Sequence, residues 1–254
     1  MTRTAIVTGG MSGIGLEIAA ALAGAGHRVA VGARRGADPT LQDMVQAKAG
    51  AGVMAAALDV RDESAVATFC AEVTERLGAP EILVNAAGVE HLHTVCDHAL
   101  EDWKTVIDTN LTGPFLMTRA CLPGMIAAGW GRIVNIASTA AHNAMPDHAA
   151  YCASKAGLLG LSRAVALEGA PHGVTCTTVS PTWVETDMLR QAAAEMAHAE
   201  GHSTAFEIAE IARANPQNRL VQPGEIAALV AFLCSDAAPA LTMEDIQVNA
   251  GAHW

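Results

Sequence analysis

Seven short apolar runs alternate with longer segments of helical character from one end of the chain to the other, and that alternation limits the fold more than any single residue does. The runs are RTAIVT (3–8), HRVAVGA (27–33), VMAAALDV (53–60), ILVNAAG (82–88), GRIVNIAS (131–138), GVTCTTVS (173–180) and DIQVNAG (245–251). Strands separated by helices cannot pair as hairpins. They pair in parallel, each helix crossing a face of the sheet in the right-handed sense. The expected fold is therefore α/β, a doubly wound parallel seven-stranded sheet with helices on both faces. A chain of 254 residues with 51% hydrophobic residues can bury one substantial core, so residues 1–254 read as a single domain. Polar helical segments from Leu189 to Ala214 interrupt the alternation before the last helix, and residues 182–214 read as an excursion covering a substrate.

The first strand runs into TGGMSGIG, and LEIAAALAGAG follows as a helix stopped by Gly24 and Gly26. In that turn Gly9, Ser12, Gly13, Ile14 and Gly15 place bare backbone beside a helix amino end, which is what a pyrophosphate needs for close approach. No Lys-Ser or Lys-Thr follows the last glycine, so this is not a nucleotide-triphosphate loop. A turn glycine serving only packing is the plainer alternative. The second run ends at Ala33, where an acidic residue would bind a ribose 2′-hydroxyl, and Arg34 and Arg35 come next. Adjacent guanidinium groups suit a 2′-phosphate, although a strand end also tolerates a solvated pair. Asp59 either binds an adenine amino group or caps the helix that starts near Asp62. The turn Asn85-Ala86-Ala87-Gly88 is too small-sided to obstruct a bound cofactor.

A helical stretch from Leu100 to Ala128 contains a Gly113-Pro114 step that marks a shift within it. Asn110 lies just before the step among apolar neighbours, where an unpartnered amide would cost ~1–3 kcal/mol. It either satisfies local backbone or holds a functional water. Ser138 ends the fifth run. Tyr151 and Lys155 follow on one face of a buried helix, four residues apart. An ammonium beside a phenol favours the phenolate, so the expectation is a Tyr151 pKa below its reference near ~10, at about 1.4 kcal/mol per unit. On their own the pair is also compatible with a half-buried tyrosine and a snorkelling lysine. The glycine turn, Arg34, Asp59, the 85–88 turn, Ser138 and the Pro181 loop all follow strand carboxyl ends, the edge where open α/β sheets bind ligands.

Together these residues carry a resemblance, over essentially the whole length, to the short-chain dehydrogenase/reductase family. The matching segments are TGGMSGIG, Asp59-Val60, Asn85 to Gly88, Asn110, Ser138, Tyr151 with Lys155, and SPTWVETDM from Ser180. The resemblance implies a Rossmann-like fold, a nicotinamide cofactor and a catalytic tetrad of Asn110, Ser138, Tyr151 and Lys155. It implies that Lys155 also holds the nicotinamide ribose, that Pro181, Val184 and Thr186 border the carboxamide, and that helices around Asn110 and Tyr151 pack into a homotetramer. With Arg34 and Arg35 in place, NADP(H) is favoured over NAD(H). The chain departs from the family pattern at Ala86, Ser180, Thr182 and Met243. Thr182 and Trp183 could crowd the nicotinamide side. None of the departures removes a catalytic group.

The chemistry so implied is hydride transfer between a nicotinamide and a carbonyl or carbinol carbon. Tyr151 is the acid-base, Ser138 binds the oxygen, and Asn110 holds a water that relays protons to Lys155. Substrate walls are expected from residues 89–96, 139–148 and 182–213, with Glu90, His91, His142, Met145, His148, Trp183 and Met188 as candidates. The Gly-Val-Glu-His run is similar to the Gly-Ile-Gln-His of 3-hydroxybutyrate dehydrogenases, but Glu90 and His148 stand where those enzymes have Gln and Lys. A free carboxylate is therefore disfavoured, and a small neutral, partly apolar or amine-bearing alcohol or ketone is preferred. Oxoacyl thioester reductases share the same motifs and form the alternative, as does a cofactor-binding scaffold without turnover.

A formal charge of −11 repels nucleic acid and anionic lipid. Six scattered cysteines signal no disulfide framework or zinc ribbon, and no apolar run reaches the ~18 residues of a membrane span. The expectation is a cytoplasmic protein with a small-molecule partner. The ten histidines lack an H-E-x-x-H spacing, so no metal is expected, and His91 and His93 read as pocket or surface residues.

Overall fold

In a computed structural model, residues 1–252 are described. Each apolar run supplies one strand: β1 Thr4–Thr8, β2 Arg28–Ala33, β3 Met54–Ala57, β4 Ile82–Asn85, β5 Gly131–Ile136, β6 Val174–Pro181 and β7 Asp245–Val248. They form one parallel sheet in the order β3-β2-β1-β4-β5-β6-β7. Most strands stop short of the run that predicts them, because residues such as Leu58–Val60, Ala86–Gly88 and Ala137–Ser138 leave the ladder to build the carboxyl edge. Register aligns that edge, with Thr8 opposite both Gly32 and Asn85, and Asn85 opposite Asn135. The strand order reverses between β1 and β4, which opens a crevice there.

Side chains alternate between two cores, as strand geometry requires. Val7, Val31, Val84 and Val134 face α1 (Gly13–Gly24) and α9 (Pro223–Leu233), whereas Ile6, Leu83 and Ile133 face α3 (Glu63–Leu77), α5 (Gly113–Ala128) and α6 (Ala149–Gly169). Both cores are fully closed, with Ile6, Ile18, Leu22, Met117 and Ile226 at 0% exposure. Each such side chain contributes roughly 1.5–3 kcal/mol of burial. Gly15 lets α1 sit directly on the first turn, since a Cβ there would lie 2.3 Å from the Gly9 carbonyl oxygen.

Local chemistry sets the helix starts. Asp38 caps α2 (Pro39–Ala49) through the Thr40 N–H at 3.0 Å, and Asp62 caps α3 through the Ser64 N–H at 2.8 Å. Asp59 is thus not the cap of α3, because Asp62 occupies that position. The stretch from Leu100 to Ala128 is not one helix. It comprises α4 (Leu100–Ile107), a π-helical turn at Asp108–Thr112, and α5. The bulge falls immediately before Gly113-Pro114, and Gly113 admits Val60, whose Cγ2 would lie 2.6 Å from a Cβ. The excursion after β6 folds as α7 (Asp187–Glu200) and α8 (Thr204–Ala214), packed together on Leu189, Ala193, Ile211 and Leu220. No helix among the described residues is long and apolar enough to cross a membrane.

Candidate active site

Two cavities open on the carboxyl edge and share Gly88. The larger has an empty volume of about 1040 Å³ and is walled by the ends of β4, β5 and β6, the start of α6 and the first turns of α7. Ser138, Tyr151 and Lys155 all line it, with Ile14, Ala86, Pro181, Val184 and Thr186 around them. The smaller is lined by Gly9, Arg34, Asp59 and Val60.

Lys155 is 5% exposed and donates to the Ile136 carbonyl at 2.8 Å, so the end of β5 fixes its head group. Its Nζ lies 5.5 Å from the centre of the Tyr151 ring. Ser138 is at the mouth of β5, where its hydroxyl accepts from the Ala140 N–H at 3.1 Å and starts the 3-10 turn Thr139–Ala141. The π-helical turn aims Asn110 inward. It is 1% exposed, accepts from the Val89 N–H at 2.9 Å, and donates to the Val89 carbonyl at 2.9 Å and to Ser154 Oγ at 3.1 Å. The amide thus clamps the loop after β4 to the helix that carries Tyr151 and Lys155. Its partners are the Val89 backbone, 21 residues away, and the Ser154 hydroxyl, 44 away.

The electrostatics overturn one expectation. The Tyr151 pKa is raised rather than lowered: burial dominates, the Glu90 carboxylate adds to it, and only the nearby Ser138 hydroxyl draws it down. Tyr151 is half-buried and lines the cavity, yet the surroundings are dense enough for desolvation to prevail. Burial likewise pulls Lys155 down to about 8, against the attraction of Glu90. Against that burial, the lysine beside it does not bring the phenol below its ordinary value.

Five of the seven residues expected at the substrate wall line the cavity: Glu90, Met145, His148, Trp183 and Met188. His142 does not. The 3-10 turn swings it toward β7, where Nε2 meets Asp245 Oδ2 at 2.6 Å. His91 is also outside, grouped with His93 and Asp102, their ligand-type atoms within 4.8 Å of one another. A second such group is Glu200, His202 and Glu207. Neither was legible in sequence spacing, since each depends on a helix folding back on a loop. Ala140, Ala144 and Ala192 also line the cavity, within the stretches 139–148 and 182–213 expected to wall it but not singled out there. Small side chains carry no chemical signal, and their contribution is the space they leave.

At the other end, Ser12, Gly13 and Gly15 shape the turn without lining either cavity. Arg35 turns away, its Nη2 2.6 Å from Asp38 Oδ2 at the start of α2, and so leaves Arg34 alone at the smaller cavity. Asn85 does not face the crevice with its side chain, which donates to Asn135 Oδ1 at 2.8 Å inside the sheet. Asp59 accepts from the Arg61 backbone and guanidinium, the shortest contact being 2.6 Å, and its carboxyl is held low by that arginine.

A fold of this order with Ser, Tyr and Lys gathered at the switch point defines a class of dinucleotide-linked enzymes. The family model described as short chain dehydrogenase matches residues 3–197. The chain is 34% identical to a D-beta-hydroxybutyrate dehydrogenase of Rhizobium meliloti over 254 residues, 99% of this chain and 98% of that one. It is 39% identical to a putative ketoacyl reductase of Streptomyces coelicolor, covering 98% and 97%. Among solved structures, an actinorhodin polyketide ketoreductase with NADPH superposes with a TM-score of 0.94 at 38% identity, over 98% of this chain and 97% of that one. The chain belongs to the short-chain dehydrogenase family and is an oxidoreductase.

Proposed function

We propose that the protein transfers hydride reversibly between NADP(H) and a small neutral or partly apolar secondary alcohol or ketone, with Asn110, Ser138, Tyr151 and Lys155 as its working residues. The observation that carries this reading is the continuity of the crevice, in which the Ser138, Tyr151 and Lys155 side chains share one cavity that joins the Arg34 cavity at Gly88. The residues fit a dinucleotide. A Cβ at Gly9 would lie 2.8 Å from the Ala87 Cα, so the missing side chain lets the first turn close onto the turn after β4, and Thr182 leaves a buried hydroxyl without a partner beside the cavity. Arg34, with Ala33 in place of an acidic residue, supports the phosphorylated cofactor.

When bound, the nicotinamide accepts or returns the hydride, two electrons with one proton. The chain supplies the rest. In oxidation the carbinol carbon gives up that hydride while its hydroxyl proton passes to Tyr151, and in reduction the Tyr151 phenol returns a proton to the carbonyl oxygen. A phenol held protonated by burial is ready for the reductive direction, and Ser138 steadies the same oxygen. Lys155 and Glu90 set the local field, and Asn110 keeps the loop after β4 against α6. An active rather than a scaffolding protein is supported by the retention of every proton-handling group.

Among the described residues Lys155 is the one lysine or arginine lining the larger cavity, and Glu90 lines it too, so an anionic substrate meets repulsion with little to pair against. An acidic carrier protein meets a chain of charge −11. Exposed Phe115 on α5 and Leu167 on α6 support a homotetramer built through those helices. The test is a screen of ketones and alcohols with both NAD(H) and NADP(H), comparing the wild type with Tyr151→Phe. Turnover should fall by 10²–10⁴-fold in the variant while cofactor quenching of tryptophan fluorescence persists. Activity within tenfold of wild type would sink the assignment.

A further inference from the structure

Glu90 and His148 form a buried polar pair on the substrate side of the cavity. Their side chains are 11% and 7% exposed, and His148 Nε2 lies 3.3 Å from Glu90 Oε1 without the alignment of a hydrogen bond. His148 Nδ1 is 2.6 Å from the Pro146 carbonyl oxygen, and a carbonyl only accepts, so Nδ1 carries a hydrogen. Nε2 is left buried and unpartnered. No hydrogen bond among the described residues ends on the Glu90 carboxylate, although burial raises its pKa, with His148 and Lys155 acting the other way. The pair is nevertheless held firmly. The loop carrying Glu90 is tied to the loop carrying His148 by the His93 N–H donating to the Asp147 carbonyl at 2.9 Å, within a short parallel bridge of His93 to His148.

Two polar groups so buried and so poorly matched to each other are matched to something else. Resting on the function proposed above, we infer that Glu90 and His148 are the subsite for a second hydroxyl next to the reacting carbon, so that the preferred substrate is a vicinal diol or the corresponding α-hydroxy ketone. A hydroxyl can donate its one hydrogen to the carboxylate while accepting from an imidazole Nε2–H, and so uses both groups at once. A carboxylate would face Glu90 directly. An ammonium could use Glu90 but would share the cavity with Lys155, and it has no lone pair with which to accept from an imidazole N–H. An alcohol or ketone lacking the second oxygen leaves both groups unsatisfied, and discrimination against a missing hydroxyl is the strong kind. The cavity is partly open, so the expected preference is about 10–100-fold, well below that of a fully closed site.

The measurement is the ratio of kcat/KM for matched ketones with and without the neighbouring hydroxyl: acetoin against butanone, and adipoin against cyclohexanone. It is made on the wild type, Glu90→Gln and Glu90→Leu, with circular dichroism melts to verify folding. The hydroxy ketone should be favoured by at least about tenfold in the wild type. Glu90→Leu should bring the ratio near one, and Glu90→Gln, which keeps an accepting oxygen, should fall between. A wild-type ratio near one, or a ratio unmoved in Glu90→Leu, overturns the subsite while leaving the proposed oxidoreductase standing. No turnover of any of the four compounds by folded protein that still binds cofactor counts against both.

Discussion

The clamp made by Asn110 gives the sharpest test of how this site is held. One buried amide satisfies both the N–H and the carbonyl of Val89, each at 2.9 Å, and also reaches Ser154 Oγ. Asn110→Leu keeps the volume, so no large cavity term enters, but it strands two backbone groups. Each costs roughly 1–3 kcal/mol when buried without a partner. Val89 is only partly buried, so the lower half of the combined range applies, about 2–4 kcal/mol. Asn110→Asp is the informative companion. It preserves the acceptor for the Val89 N–H but sets a second acceptor against the Val89 carbonyl, and should cost at least about 1 kcal/mol even though its shape is unchanged. Urea unfolding followed by circular dichroism, at one protein concentration and with the slope checked for constancy, reads both values. Because Val89 precedes Glu90, loosening the clamp should also raise KM for substrate more than for cofactor. A midpoint shift equivalent to less than about 0.5 kcal/mol in the leucine variant would mean that the loop holds itself and that the amide is incidental.

Arg34 should decide cofactor choice, since Arg35 is committed to Asp38. Arg34→Ser should raise KM for NADPH by about 10–100-fold with little change for NADH, as loss of a charged hydrogen bond predicts, and equal effects on both would refute the assignment. Lys155 gives a pH signature. Its pKa of about 8 lies below the 10.5 of the exposed side chain, so between those values the unfolded chain binds more protons and native stability rises with pH. The stability of the wild type relative to Lys155→Met should therefore increase from pH 8 to pH 10 by up to about 3 kcal/mol. A flat or falling difference would contradict it.

Much of the fold was written in the apolar runs, because a parallel strand covered on both faces must be apolar throughout and cannot hide that from a reader of the sequence. Strand ends were less legible. Leu58, Ala86 and Ala137 are as apolar as the strands they follow, and only the register of neighbouring strands decides where pairing stops. The π-helical turn at Asp108–Thr112 was visible only as a Gly113-Pro114 disturbance, since an inserted residue changes direction without changing composition.

The site divides in the same way. Ser138, Tyr151, Lys155 and Arg34 are positioned by strand ends and by spacing along one helix, both of which sequence specifies. The side chains of Arg35, Asn85, His91 and His142 lie away from the two cavities because each finds a partner remote in sequence or across a turn: Asp38, Asn135, the His93–Asp102 group and Asp245. The charge argument failed for a related reason. Four residues along a helix do bring Lys155 beside Tyr151, but how far an ammonium shifts a phenol depends on what else surrounds both. Here burial acts on the two groups in opposite directions, raising the phenol and lowering the amine, and each keeps to its neutral form more readily than in water. Glu90 reinforces the first change and opposes the second, since its negative charge disfavours a phenolate and favours an ammonium. On the function proposed above, a phenol kept in its neutral form by burial has a proton to give where a substrate oxygen enters the crevice to receive it, which ties proton transfer to occupancy of the crevice.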